Sequence, residues 1–127
     1  MEMDTAFPSF QLAEFVSPRG LTGRNCGSPL EPGMIFNRLR RTRFYRDCAE
    51  LKSEVVDEPR IISLTLERIE ALQRTLEGLG PGMTALLEVS GASLAAICEE
   101  LSRLPEDEYL SIEVLCNQDD WGPSTEG

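Results

Sequence analysis

The sequence predicts an α+β protein: a helical hairpin packed on a small sheet that is formed by a C-terminal strand-helix-strand unit. Three observations predict it. Apolar residues recur at helical spacing through residues 38 to 77. Two short apolar runs, "MTALLEV" and "YLSIEVLC", flank a third helical stripe. The first 33 residues carry too much proline and glycine to continue either pattern.

Residues 1 to 33 hold Pro8, Pro18, Gly20, Gly23, Gly27, Pro29, Pro32 and Gly33, and are expected to form an irregular N-terminal arm. Phe7, Phe10 and Phe15 lie in it. Three phenylalanines are costly to leave in water, so they are candidate contacts for a partner. A single domain is expected over 34 to 116. Its first helix runs through 38 to 55, with Phe44, Cys48, Leu51 and Val55 on one stripe and Arg38, Arg43 and Arg46 away from it. A second helix, 59 to 77, opens on Asp57 and Pro59, buries Ile61, Ile62, Leu66, Ile69, Leu72 and Leu76, and stops at Gly78, Gly80 and Pro81. The short link between the two implies an antiparallel hairpin.

From Gly82 the pattern changes. "MTALLEV", bounded by Gly-Pro-Gly and Ser-Gly, reads as a buried strand. "SLAAICEELSRL" places Leu94, Ile97, Leu101 and Leu104 on one helix face, with Ser90 or Ser93 as the cap. "YLSIEVLC" alternates Leu110, Ile112, Val114 and Cys116 inward against Ser111 and Glu113 outward. Strand, helix and strand in this order predict a right-handed βαβ or split βαβ unit. Residues 117 to 127 read as a flexible acidic tail with Trp121 as its one anchor.

The stretch "PGMTALLEVSGASLAAICEELSRLPEDEYLSIEVLCN" resembles the strand-helix-strand insert subdomain of malonyl and acyl transferases, over roughly a quarter of the chain. The resemblance implies the local fold alone. The serine elbow and histidine of such enzymes are absent from this sequence, so it carries no activity and no site residue.

Composition narrows the function classes. At 127 residues, with 41% hydrophobic and 27% charged residues, the chain has the make-up of an ordinary soluble domain and no apolar run long enough for a bilayer, so no membrane is expected. The acidic start lacks the features of a secretory signal, which places the protein inside the cell, cytoplasmic or nuclear. Cys26, Cys48, Cys98 and Cys116 form no C-x-x-C pair, and there is no histidine. Zinc sites and histidine-based nucleophilic chemistry lose their usual ligands and base. The acidic runs "CEEL" and "PEDEY" lack the spacing of a calcium loop and read as solvated faces. No catalytic residue, metal or cofactor is expected.

Charge is segregated. Residues 1 to 76 balance 11 acids with 11 bases, whereas residues 77 to 127 hold 11 acids against Arg103 alone, the whole of the net −10. Eleven of the 12 bases are arginine, and five fall in "RLRRTRFYRD". The expected function is therefore a non-enzymatic protein-interaction or adaptor module, of viral or other accessory type. Its partner-binding residues are Phe7, Phe10, Phe15, Arg38, Arg40, Arg41, Arg43, Tyr45 and Arg46. The expected partner is another protein with an acidic surface; a homodimer that completes the marginal two-stranded sheet is a further expectation. The alternative is an RNA- or DNA-binding protein using the arginine-rich helix, in which Arg38, Arg43 and Arg46 meet phosphates and Tyr45 stacks on bases. Against it, Arg43 and Arg46 each stand four residues before an acid, and the acidic half would repel a polyanion.

Overall fold

A computed structural model of the chain describes residues 7–56 and 58–115. It overturns the expected α+β fold and its helical hairpin. Eight antiparallel strands form one sheet, and the described residues contain one short helix. In chain order the elements are β1 (Ser9–Val16), β2 (Gly20–Asn25), β3 (Ile35–Asp47), β4 (Glu50–Val55), β5 (Arg60–Ala71), β6 (Arg74–Leu76), β7 (Thr84–Ser90), α1 (Leu94–Ser102) and β8 (Glu108–Glu113). The sheet runs β4-β3-β8-β1-β2-β7-β5-β6, and an additional pairing of β3 with β5 joins its two sides. Six strands, β3, β8, β1, β2, β7 and β5, therefore close into a ring, which removes their edges. The ends of β3 and β5 run on past the ring and pair with β4 and β6 as two hairpins.

Period two builds the core. Ile62, Leu64 and Leu66 of β5 turn inward, as do Phe10 and Leu12 of β1, Leu87 and Val89 of β7, and Leu110 and Ile112 of β8. α1 adds the buried Ile97, with Leu94 and Leu101 packed against the same cluster. A satisfied polar residue holds the loops together. The buried Asn25 donates from Nδ2 to the carbonyls of Leu79 (2.8 Å) and Ser28 (3.1 Å), and its Oδ1 accepts from the Gly27 N–H.

The two expected helices are strands for an identifiable reason. β5 carries one residue more than β3 opposite Phe36 to Arg38, and one residue more than β7 between Leu66 and Arg68. The inward series then steps by three, Phe36 to Leu39 and Leu66 to Ile69, which is also the step of a helical stripe. The hairpin turns are equally disguised. Cys48 and Ala49 (φ 54° and 72°), and Leu72 and Gln73 (φ 54° and 64°), take the left-handed conformation of two-residue hairpin loops without the usual Asn-Gly.

The expected irregular arm also gains structure. Residues 9 to 25 form β1 and β2 in the middle of the sheet, and Pro18 and Gly20 mark the turn between them. Gly23 is required where β1 and β2 approach. A Cβ there would collide with the Gln11 carbonyl and stand 2.7 Å from the Phe10 ring. The three C-terminal elements lie close to where the sequence places them, but they form no βαβ unit. β1 and β2 separate β8 from β7, and three successive antiparallel pairings make β7 and β8 antiparallel. The expected tail at 117 to 127, Trp121 and Cys116 lie outside the described residues.

Leu72 is 93% exposed, so its side chain contributes little burial while its backbone carries the left-handed penalty. Replacing Leu72-Gln73 by Asn-Gly is expected to stabilise the protein by about 1 to 2 kcal/mol, a rise of several degrees in the melting temperature. A lower melting temperature in a thermal scan would mean that this turn is wrongly placed.

Candidate functional site

The segment that holds the five clustered arginines is the long strand β3. Along one edge it pairs first with β5, through Ile35 to Leu39, and then with β4, through Thr42 to Asp47. On the other edge it pairs with β8 as far as Arg43. Residues 44 to 53 thus make a two-stranded arm that reaches past both neighbours in the ring.

Alternation gives this arm two faces. One carries Thr42, Phe44 and Arg46 of β3 with Leu51, Ser53 and Val55 of β4. The Phe44 ring meets that of Tyr109, opposite Thr42 on β8, at 4.9 Å and 33°. Leu51 and Val55 are 64% and 49% exposed. Ile61, paired with Arg38 further along the same edge of β3, is 81% exposed. The second face is charged: Arg41, Arg43, Tyr45 and Asp47 stand against Glu54, Lys52 and Glu50.

The cations are largely matched by the protein's own acids. Arg38 Nε meets Glu113 Oε1 at 2.6 Å with both side chains buried, and Arg40 reaches the same oxygen at 3.4 Å. Arg41 pairs with Glu108 and, at 3.3 Å, with Glu100, which Arg60 also contacts at 2.8 Å. Arg43 pairs with Glu54 across the arm, not with Asp47 as a helix would have it. Lys52 lies 3.2 Å from Asp47. Three of these acids, Glu100, Glu108 and Glu113, belong to the acidic C-terminal part, so the charge segregated in sequence is brought together in space. The Phe7 ring lies against Arg38, its centroid 5.4 Å from the guanidinium carbon, and the neighbouring Asn37 amide exchanges two 2.9 Å hydrogen bonds with the backbone of Leu115. Arg40 Nε is buried without a hydrogen-bond partner.

The nine sequence-predicted contacts are therefore dispersed. No single arginine ridge exists: Arg38, Arg40 and Arg46 face one side of β3, and Arg41 and Arg43 the other. Tyr45 lies on the charged face with Arg43 stacked 6.0 Å above its ring. Phe10 is fully buried in the core, whereas Phe15 is 37% exposed and Phe7 is half-buried. Sequence reasoning assigns Leu51 and Val55 to a buried stripe, and the structure exposes them. The alternation through "TRFYR" and "LKSEV" is the signal that places them.

Elsewhere an open groove of about 840 Å³ is lined by residues including Leu12, Arg24, Glu70, Leu72, Met83 and Leu86. Among the described residues no group of three or more His, Cys, Asp or Glu could hold a metal ion. Burial raises the Cys98 thiol above its ordinary range, which keeps it protonated and weakly nucleophilic near neutral pH. No helix among the described residues is long and apolar enough to cross a membrane. Comparison with protein-family models, with curated proteins and with solved structures finds no match to this chain.

Proposed function

We propose that the chain is a non-enzymatic protein-interaction module that meets its partner through the outward face of the β3–β4 arm. The observation that carries this reading is the exposed apolar row of Leu51 and Val55, set beside the Phe44–Tyr109 ring pair on a hairpin that the core does not need. Such a row costs solubility in a free protein, and covering it is what a partner would supply. The charged face of the arm is satisfied internally, so apolar contact and the open strand edge are what remain for recognition. The same pairing removes much of the charge that phosphate contacts need, which weakens the nucleic-acid alternative. Among the described residues Cys26, Cys48 and Cys98 are free thiols, which supports a reducing intracellular compartment.

The reading is tested by placing a photo-crosslinking residue at position 51, and as a control at the exposed position 75 of β6, in the cells that naturally make the protein. Position 51 is expected to give discrete protein adducts that disappear when Val55→Asp is added, while position 75 gives none. Equal labelling from both positions, or none from position 51, contradicts the proposal.

A further inference from the structure

We infer that the partner of the arm is a second copy of this chain, joined by antiparallel pairing of β4 with β4 across a two-fold axis at Ser53. This rests on the interaction reading above and adds the occupant of the surface.

β4 stands at the end of the strand order, all six of its residues are exposed, and β3 is its only strand neighbour among the described residues. A strand in that position offers one row of unpaired N–H and C=O groups. The hairpin fixes which residues own them. Val56 N–H bonds to the Arg41 carbonyl, so by alternation Glu54 and Lys52 also turn their backbone groups toward β3. Leu51, Ser53 and Val55 turn theirs away. A second strand must therefore match these odd-numbered positions with odd-numbered positions of its own, which leaves three central registers.

Two of the three place like charges together. Centring on Lys52 sets Lys52 against Lys52 and Glu50 against Glu54; centring on Glu54 sets Glu54 against itself. Centring on Ser53 sets Leu51 against Val55, Lys52 against Glu54 and Ser53 against Ser53. Every pair is then complementary, and by the two-fold the Leu51–Val55 and Lys52–Glu54 pairs each occur twice. On the outward face the apolar row continues across the axis, with Leu51 beside the second copy's Val55. On the charged face Arg43, Glu54 and the second copy's Lys52 alternate in sign. The other terminal strand, β6, has three residues and offers no comparable length. The two-stranded sheet expected from sequence is not the reason for association, since the ring is complete within one chain.

The test uses the full chain under reducing conditions, because Cys48 is exposed at the arm's tip. Sedimentation over a concentration series reaching the millimolar range is expected to give the mass of two chains. Ser53→Pro removes an N–H that no strand of the same chain uses, and should hold the mass at one chain with the melting temperature preserved. Lys52→Glu and Glu54→Lys each place like charges at two symmetry-related pairs and should weaken the dimer by about tenfold. Mixing the two variants restores every pairing and should recover a heterodimer; these exposed substitutions keep the test valid if Ser53→Pro proves unstable. A wild-type mass of one chain throughout, or a dimer indifferent to charge reversal and not rescued by mixing, overturns the inference. A one-chain mass with position-51 adducts to a different protein sinks the self-pairing and leaves the interaction reading standing; loss of those adducts as well sinks both.

Discussion

Replacing Phe10 by alanine is expected to destabilise the protein by about 4 kcal/mol, a large share of the roughly 5 to 15 kcal/mol that holds a domain of this size together. Phe10 is fully buried, pairs with Asn25 on β2 and Ile112 on β8, and packs where Gly23 lets β1 and β2 approach. Alanine would leave a ring-sized void at the junction of three ring strands, where closure restricts how far the backbone can relax. Phe15, near the end of the same strand and 37% exposed, provides the comparison. Phe15→Ala is expected to cost less than about 1 kcal/mol. Urea denaturation checks both, with the midpoint falling for Phe10→Ala at unchanged slope. Equal, small losses would return Phe10 to the surface and contradict the closed core.

The second large effect is expected at Glu113. Its carboxylate is almost fully buried on the outward face of β8, where it meets Arg38 at 2.6 Å and Arg40 at 3.4 Å. Glu113→Ala takes the charge partner from a buried guanidinium and is expected to cost about 3 kcal/mol. The loss should persist in high salt, because the pair is out of reach of counterions. The exposed Arg43–Glu54 pair behaves differently: its side chains are 44% and 46% exposed, and Glu54→Ala is expected to cost less than about 1 kcal/mol, a loss that salt removes. Replacing Arg38 by methionine together with Glu113→Ala should recover part of the loss, and a double-mutant cycle is expected to show a coupling above about 1 kcal/mol. Additive single effects in that cycle would show that the two side chains do not meet.

How much of this was legible in the sequence depends on whether backbone irregularity intervened. β7, α1 and β8 were legible, because Thr84–Ser90 and Glu108–Glu113 are strands with no extra residue of their own and α1 buries Ile97 with Leu94 and Leu101 beside it, as its spacing requires. β3 and β5 were not. At the two register shifts the inward series steps by three, Phe36 to Leu39 and Leu66 to Ile69, so each strand imitates a helical stripe. Cys48-Ala49 and Leu72-Gln73 conceal the turns that would have corrected the reading, since neither pair belongs to the residues that favour left-handed backbone. The β-branched and aromatic content of "TRFYR" and "RIISLTL" was the competing signal, and it reported the strands. The N-terminal segment misled in the opposite direction: its prolines and glycines mark turns around β1 and β2 and not an irregular arm. The sequence did show where positive and negative charge lie. It could not show that one strand would deal its arginines to both faces, where most of them meet the protein's own glutamates.

Both functional inferences need residues 42 to 55 to be a two-stranded hairpin. Nuclear Overhauser contacts between backbone α-protons test this most directly. Arg46 with Leu51, Phe44 with Ser53 and Thr42 with Val55 are the non-hydrogen-bonded pairs of the arm, whose α-carbons stand about 4.5 Å apart and whose α-protons face each other. Strong cross-strand α-proton peaks are expected at all three pairs. Their absence, with α-proton to amide contacts three residues apart through the segment instead, would restore a helix and remove the edge and the apolar row together.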